Sequence, residues 1–270
     1  MQHKQLGNMA AATSRFVIAF ALANVIGLSS ARADDQKADP KAMFKEMSDY
    51  VTSQKAISFN YDTNLEIVTP EHQKLGLASS GAMTLNRPDK LRATRTGGFS
   101  DIDVAFDGTN LTLLGKHANI YAEINAPGTV DHLVDEMRSK HHRLMPATDL
   151  LLSDPYAKFM PQVEDAKDLG SGVIGGVECD HLAFRTKDVD WQIWIAQGAR
   201  RYPCRFVISN PKVPGAPEYT VDVRGWKAGD EAAHDSFKIE IPAGAKKLTA
   251  DDLKDFDPLG GPYKLKVKEQ

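Results

Sequence analysis

The string Gly170-Ser171-Gly172-Val173-Ile174-Gly175-Gly176 has the G-x-G-x-x-G spacing with which a dinucleotide-binding turn cradles a pyrophosphate. That chemistry needs a strand before the glycines and a helix amino terminus after them. Here Val177 to Arg185 alternates as a strand does, so the string reads as a flexible turn and no cofactor is expected. Beyond residue 33, histidines stand at 72, 117, 132, 141, 142, 181 and 234 without an H-E-x-x-H pair, and no metal site is assigned to them. His141-His142 closes a helix, where a protonated imidazole suits the dipole. His181 beside Asp180 has the composition of a base and its orienting acid, but neighbours on a strand face opposite ways and no G-x-S-x-G elbow supplies a nucleophile. A hydrolase is therefore the weakest of the readings, and no catalytic residue is named. Asp101, Asp103 and Asp107 lack the glycine and terminal Glu of a calcium loop and read as a solvated strand edge with a turn.

Cys179 and Cys204 both fall in strand-like segments. In an oxidising compartment they are expected to pair as a disulfide contributing about 3 kcal/mol, the alternative being two separately buried thiols. Neither has a second Cys or a His at ligand spacing. On Asp190-Trp191-Gln192-Ile193-Trp194-Ile195, the residues Trp191, Ile193 and Ile195 share one face and Trp194 stands on the other. Such aromatics serve packing or line an apolar pocket.

The elements that must position these residues begin after an export signal. Lys4 and Arg15 precede or flank an apolar run from Phe16 to Leu28, too short to span a bilayer, and Ala31-Arg32-Ala33 gives the A-x-A pattern of signal peptidase. Cleavage is expected after Ala33, and no Cys follows it to carry a lipid. Residues 1–33 hold three basic and no acidic residues, so the mature part sets 30 basic against 36 acidic side chains. Nucleic acid is a poor partner for that balance. Residues 34–270 are read as a single domain.

Asp39-Pro40 starts a helix with Met43, Phe44, Met47, Tyr50 and Val51 at helical spacing. Period-two strands are expected over 57–67, 75–85, 90–96, 102–106, 111–114 and 120–124, separated by turns too short for crossover helices. A helix capped by Thr129 and a helical patch over 150–160 interrupt them. Strands then resume over 177–185, 189–195, 205–209, 219–226 and 237–241. The pattern predicts a mainly antiparallel β (α+β) fold, a strongly curved half-barrel of about eleven strands with short helices covering its concave face.

Three segments carry a family resemblance: Gly176-Val177-Glu178-Cys179-Asp180-His181-Leu182-Ala183-Phe184-Arg185, Val189-Asp190-Trp191-Gln192-Ile193-Trp194-Ile195, and Arg205-Phe206-Val207-Ile208. They resemble the predicted periplasmic proteins of domain-of-unknown-function family 2092. That family is similar in architecture to lipoprotein carriers of the LolA/LolB type and to the sensor domain of regulators such as RseB. Phe237 to Ala245 looks like the last strand and Pro-x-Gly-Ala turn of that superfamily. The resemblance implies a periplasmic curved sheet whose helices cover a hydrophobic concavity, and it transfers no catalytic residue.

The expected function is an exported binding protein holding an apolar or lipid-like ligand, with Phe59, Tyr61, Leu65, Ile102, Val104, Phe106, Trp191 and Ile193 as the lining. The rival is a protein-interaction or stress-sensing module that contacts another envelope protein through its sheet edge or lid. Peripheral contact with the membrane fits either.

Overall fold

The computed structural model describes residues 39–98, 100–141, 147–232 and 236–249. The export signal expected over 1–33 lies outside the described residues, as do His142 and His234. The first helix, α1 (Pro40–Ser53), starts as its sequence dictates: Asp39 accepts a hydrogen bond from the Lys41 amide at 3.0 Å, with Pro40 at the first helical position. It buries Phe44, Met47, Ser48 and Val51 on one side.

Six antiparallel strands follow as a meander: β1 (Ala56–Val68), β2 (Lys74–Asn86), β3 (Lys90–Gly97), β4 (Ser100–Phe106), β5 (Asn110–Gly115) and β6 (Ile120–Asn125). After the helices α2 (Val130–Ser139) and α3 (Pro155–Phe159), a second meander runs through β7 (Asp165–Ile174), β8 (Val177–Arg185), β9 (Asp190–Ala196), β10 (Pro203–Ser209) and β11 (Glu218–Ala228). Lys246–Lys247, β12, adds a short parallel edge to β6.

The spatial order is β12-β6-β5-β4-β3-β2-β1-β11-β10-β9-β8-β7 in one twelve-stranded sheet. The first meander therefore runs outward from β1 to one side, and the second starts at the far edge and returns until β11 pairs with β1. Because β6 and β7 lie on opposite flanks, the connection between them must cross a sheet face, and it carries α2, α3 and the 3-10 turn Thr148–Leu151. Twist accumulated over so many strands curls the sheet while leaving it open.

One core lies between the sheet and these helices. Phe44 of α1 meets Phe159, Phe184 and Trp191 edge-on at centroid distances of 5.7, 5.9 and 5.4 Å. Helix α2, whose cap is Thr129 accepting from the His132 amide at 3.2 Å, buries Val130, Leu133, Val134 and Met137. Fully buried apolar side chains at these contacts contribute about 1.5–3 kcal/mol each.

Several sequence expectations are corrected. The Gly170–Gly176 string, expected to be a flexible turn, lies largely within β7 (Asp165–Ile174). Gly172 belongs to the strand, and the flexible part of the string reduces to Gly175-Gly176, whose φ of 58° and 85° form the left-handed two-residue turn of the β7–β8 hairpin. The strand expected over 237–241 is absent; the start of this segment is instead held by Arg92, whose Nη1 donates to the carbonyls of Ser236 and Lys238 at 3.2 and 2.7 Å. Asp103 is no solvated edge residue; it is buried and paired with Arg92 at 2.7 Å.

The expected disulfide is also corrected. Cys179 and Cys204 are free thiols, both buried, packed with Ala196 in a small apolar cluster. They sit on β8 and β10 with β9 between them. Cys204 lies where the β10 register shifts between Pro203 and Arg205, and the two thiols are near neighbours that interact with each other without being bonded.

Candidate functional site: an apolar cavity on the concave face

Period-two alternation places Ile57, Phe59, Tyr61, Thr63 and Leu65 of β1 on one face, and register carries that face across the sheet. One transverse row reads Ile102, Arg95, Gly81, Tyr61 and Val223, on β4, β3, β2, β1 and β11. The neighbouring row toward the helices contains Val104, Ala93, Met83 and Phe59. Nearer still, Leu91, Phe106 and Leu85 are fully buried in the core.

The crossing helices fill the concavity over that last row and leave space over the first two. The result is a partly open cavity of ≈ 220 Å³ whose floor is the two rows with Phe206, Tyr219 and Val221, and whose roof is Ala147, Thr148, Leu150 and Leu151. Arg87 fastens the roof: its Nη2 donates to the Leu151 carbonyl at 2.8 Å and its Nε to the Gln54 carbonyl at 3.2 Å. Burial holds this guanidinium below the usual arginine range.

Polar groups in the cavity are few and held in place. The Tyr61 hydroxyl donates to the Thr94 carbonyl at 2.7 Å, and burial pushes its phenol up to about 12. Tyr219 is likewise raised by burial. Arg95 donates from Nε to Ser79 Oγ at 2.8 Å, and that hydroxyl lies 2.7 Å from Thr63 Oγ1.

Of the eight residues expected to line a concavity, Phe59, Tyr61, Ile102 and Val104 surround this cavity. Leu65 stands farther along β1 beyond Thr63 and is outside the lining. Phe106, Trp191 and Ile193 are buried in the filled part of the core. Trp191 stacks on Phe184 at 4.1 Å, so its work is packing. Sequence reasoning missed Arg95, Tyr219, Val221 and Val223. Arg95 had a signal: it continues the Leu91, Ala93 alternation, a charge on an otherwise apolar strand face.

The other chemical candidates are dispersed. His181 stacks on Trp194 at 3.9 Å and its Nε2 lies 2.9 Å from Gln192 Oε1, while Asp180 is bound to Arg201 at 2.8 Å. Asp101 is paired with Lys116 at 3.5 Å, and Asp107 accepts from the Asn110 and Thr109 amides, which hold its carboxyl below the usual range. His132 pairs with Glu136 at 3.3 Å within α2. Among the described residues no group of three or more His, Cys, Asp or Glu side chains is placed to hold a metal ion.

Solved structures with a similar chain path include an uncharacterized conserved protein of Thermus thermophilus, 11% identical, covering 77% of this chain and 98% of that one with a TM-score of 0.45. The lipoprotein LppX of Mycobacterium tuberculosis is 12% identical, with coverage of 72% and 97% and a TM-score of 0.37. MucB and MucA of Pseudomonas aeruginosa, solved as a complex, give a match at 12% identity that covers 75% of this chain and 62% of that chain, TM-score 0.42. No curated protein matches the chain. Residues 41–250 match the model of the family described as predicted periplasmic protein, domain of unknown function 2092, and this chain is a periplasmic protein that belongs to that family.

Proposed function

We propose that the protein is a periplasmic binding protein, not an enzyme, that holds an apolar, lipid-like ligand against the concave face of its sheet. One observation carries the reading: the crossover helices stop short of covering the face, and the ≈ 220 Å³ left over is walled mainly by Phe59, Ile102, Val104, Phe206, Val221 and Val223. Water in such a space gains few hydrogen bonds, and each Å² of ligand hydrocarbon that replaces it is stabilised by about 25 cal/mol. The volume is below the roughly 300–1,000 Å³ of drug-sized pockets. A single hydrocarbon chain, part of it outside the cavity, fits this space.

Native mass spectrometry of protein isolated from the periplasm is expected to show an adduct that denaturation releases as a lipid. Repeated absence of any adduct, together with no uptake of an added single-chain alkyl compound, overturns the proposal.

A second reading, an envelope protein pairing an extended segment with β7, draws support from that strand's position at a sheet edge with Leu169 and Val173 at 49% and 65% exposure. A photocrosslinker at Val173 in intact cells favours it by giving one discrete protein adduct, and counts against it by giving none.

A further inference from the structure

We infer that the ligand is a long-chain amphiphile whose chain end fills the cavity while the rest of the chain lies on the overhanging end of the β1–β2 hairpin, against Leu65, Leu77, Ile67 and Leu75. The inference rests on the apolar-ligand reading and adds a second subsite, which sets the class of chain.

β1 and β2 are 13 residues each and pair without a break from Ala56 opposite Asn86 to Val68 opposite Lys74. Their neighbours stop earlier: β11 leaves β1 at Leu65 opposite Tyr219, and β3 leaves β2 at Ser79 opposite Gly97. Past those points the two strands pair only with each other among the described residues. The overhang keeps the period of two. Its outer side holds Glu66 and Lys74, paired at 2.7 Å, while the side continuous with the concave face sets Leu65 against Leu77 and Ile67 against Leu75. Leu77 is buried and the other three are half-buried. None of the four, among the described residues, joins the main buried core or packs on it, and none lines the cavity.

One strand face leads from the cavity to the overhang: Tyr61 in the lining, then Thr63, Leu65 and Ile67, roughly 20 Å from first to last. The intervening pair, Thr63 and Ser79, is buried with its hydroxyls 2.7 Å apart, so an alkyl chain laid across them breaks no hydrogen bond. The ≈ 220 Å³ cavity takes only the end of a long chain. An apolar strip in line with it is where the next methylenes leave water. A second copy of the protein is the weaker occupant, because four side chains already partly covered offer far less than the roughly 800 Å² per partner of a stable interface.

Equilibrium binding of octyl, dodecyl and hexadecyl maltoside to the full mature protein, each below its micelle concentration, tests the inference. Their shared, uncharged head leaves chain length as the variable. A methylene fully withdrawn from water is worth roughly fourfold in affinity, so a half-covered chain is expected to bind about tenfold or more tighter as hexadecyl than as dodecyl. In the double variant Ile67→Ser, Leu75→Ser that gain is expected to fall to about twofold or less. Octyl maltoside is expected to bind the variant as it binds the wild type, which shows the cavity intact. A hexadecyl maltoside with a diazirine beside the head is expected to label residues 65–77 of the wild-type protein, a readout that does not depend on how the variant folds. Affinity that stops rising at dodecyl, a gain that survives in the double variant, or labelling confined to other segments overturns the inference and leaves the apolar-ligand reading standing. So does a wild-type dimer that the double variant turns into monomers, since a second copy then covers the overhang. Failure of all three compounds to bind overturns both.

Discussion

Tyr61 on β1 stands directly opposite Gly81 on β2, and its phenol passes over the glycine to donate a 2.7 Å hydrogen bond to the Thr94 carbonyl of β3. A Cβ at Gly81 would lie 2.6 Å from Tyr61 Cζ and 1.9 Å from the Thr94 oxygen, so the missing side chain is what admits the ring. Gly81→Ala is expected to destabilise the protein by about 1–3 kcal/mol through overpacking, and Tyr61→Phe by about 1 kcal/mol through the lost donor. Urea denaturation of the two variants beside the wild type checks both; a neutral Gly81→Ala contradicts the packing described.

The same phenol makes stability fall in alkali. Its folded pKa is about 12 against an ordinary 10.0, so the unfolded chain releases the proton first. The contribution is fully present below pH 10 and lost as the pH rises through about 12, amounting to on the order of 2–3 kcal/mol. Denaturation midpoints measured across that window should drop less steeply for Tyr61→Phe than for the wild type.

Arg92 ties the chain beyond β11 to the sheet, because one guanidinium serves both buried Asp103 at 2.7 Å and the carbonyls of Ser236 and Lys238. Arg92→Met leaves the Asp103 carboxylate buried opposite an apolar side chain, at an expected cost of about 2 kcal/mol or more. Hydrogen exchange is expected to quicken around residues 236–249 in that variant, with β8 and β9 unchanged. Equal exchange in both proteins contradicts the tie.

Both thiols are shielded, and burial pushes the Cys179 and Cys204 thiols up, away from the reactive thiolate. Iodoacetamide is expected to label neither at neutral pH in the folded protein and both once it is unfolded without reductant. A protein that resists labelling when unfolded and yields only after reduction carries a disulfide, contrary to the structure.

Ala93 lines the cavity from β3 between Met83 and Val104. Ala93→Phe puts a ring into the open space, so alkyl-chain binding is expected to weaken by about tenfold or more while the thermal midpoint stays near the wild-type value. Undiminished binding places the ligand elsewhere.

The β1 alternation was legible because one face is buried: Ile57, Phe59, Tyr61 and Thr63 point into the fold, and a period of two survives in the sequence. The caps at Asp39 and Thr129 were legible because a local hydrogen bond selects them. β7 was not, since an edge strand exposed along most of its length has no burial pattern to imprint, and its order comes from β8 alone.

The candidate site divides along the same line. Sequence by itself determined antiparallel class, the apolar face of β1 and β4, and the resemblance to the family that matches. These are written in local composition, in neighbouring strands joined by short turns, and in periodicity. Only the tertiary structure decided which part of that face is hollow. Phe106 and Val104 are two residues apart on the same side of β4, yet one is sealed under the helices and the other faces the cavity. The difference comes from where the β6-to-β7 crossover lies over the sheet, a long-range packing outcome. It is also what sets Arg95, one charge on an otherwise apolar strand face, at the floor of that space.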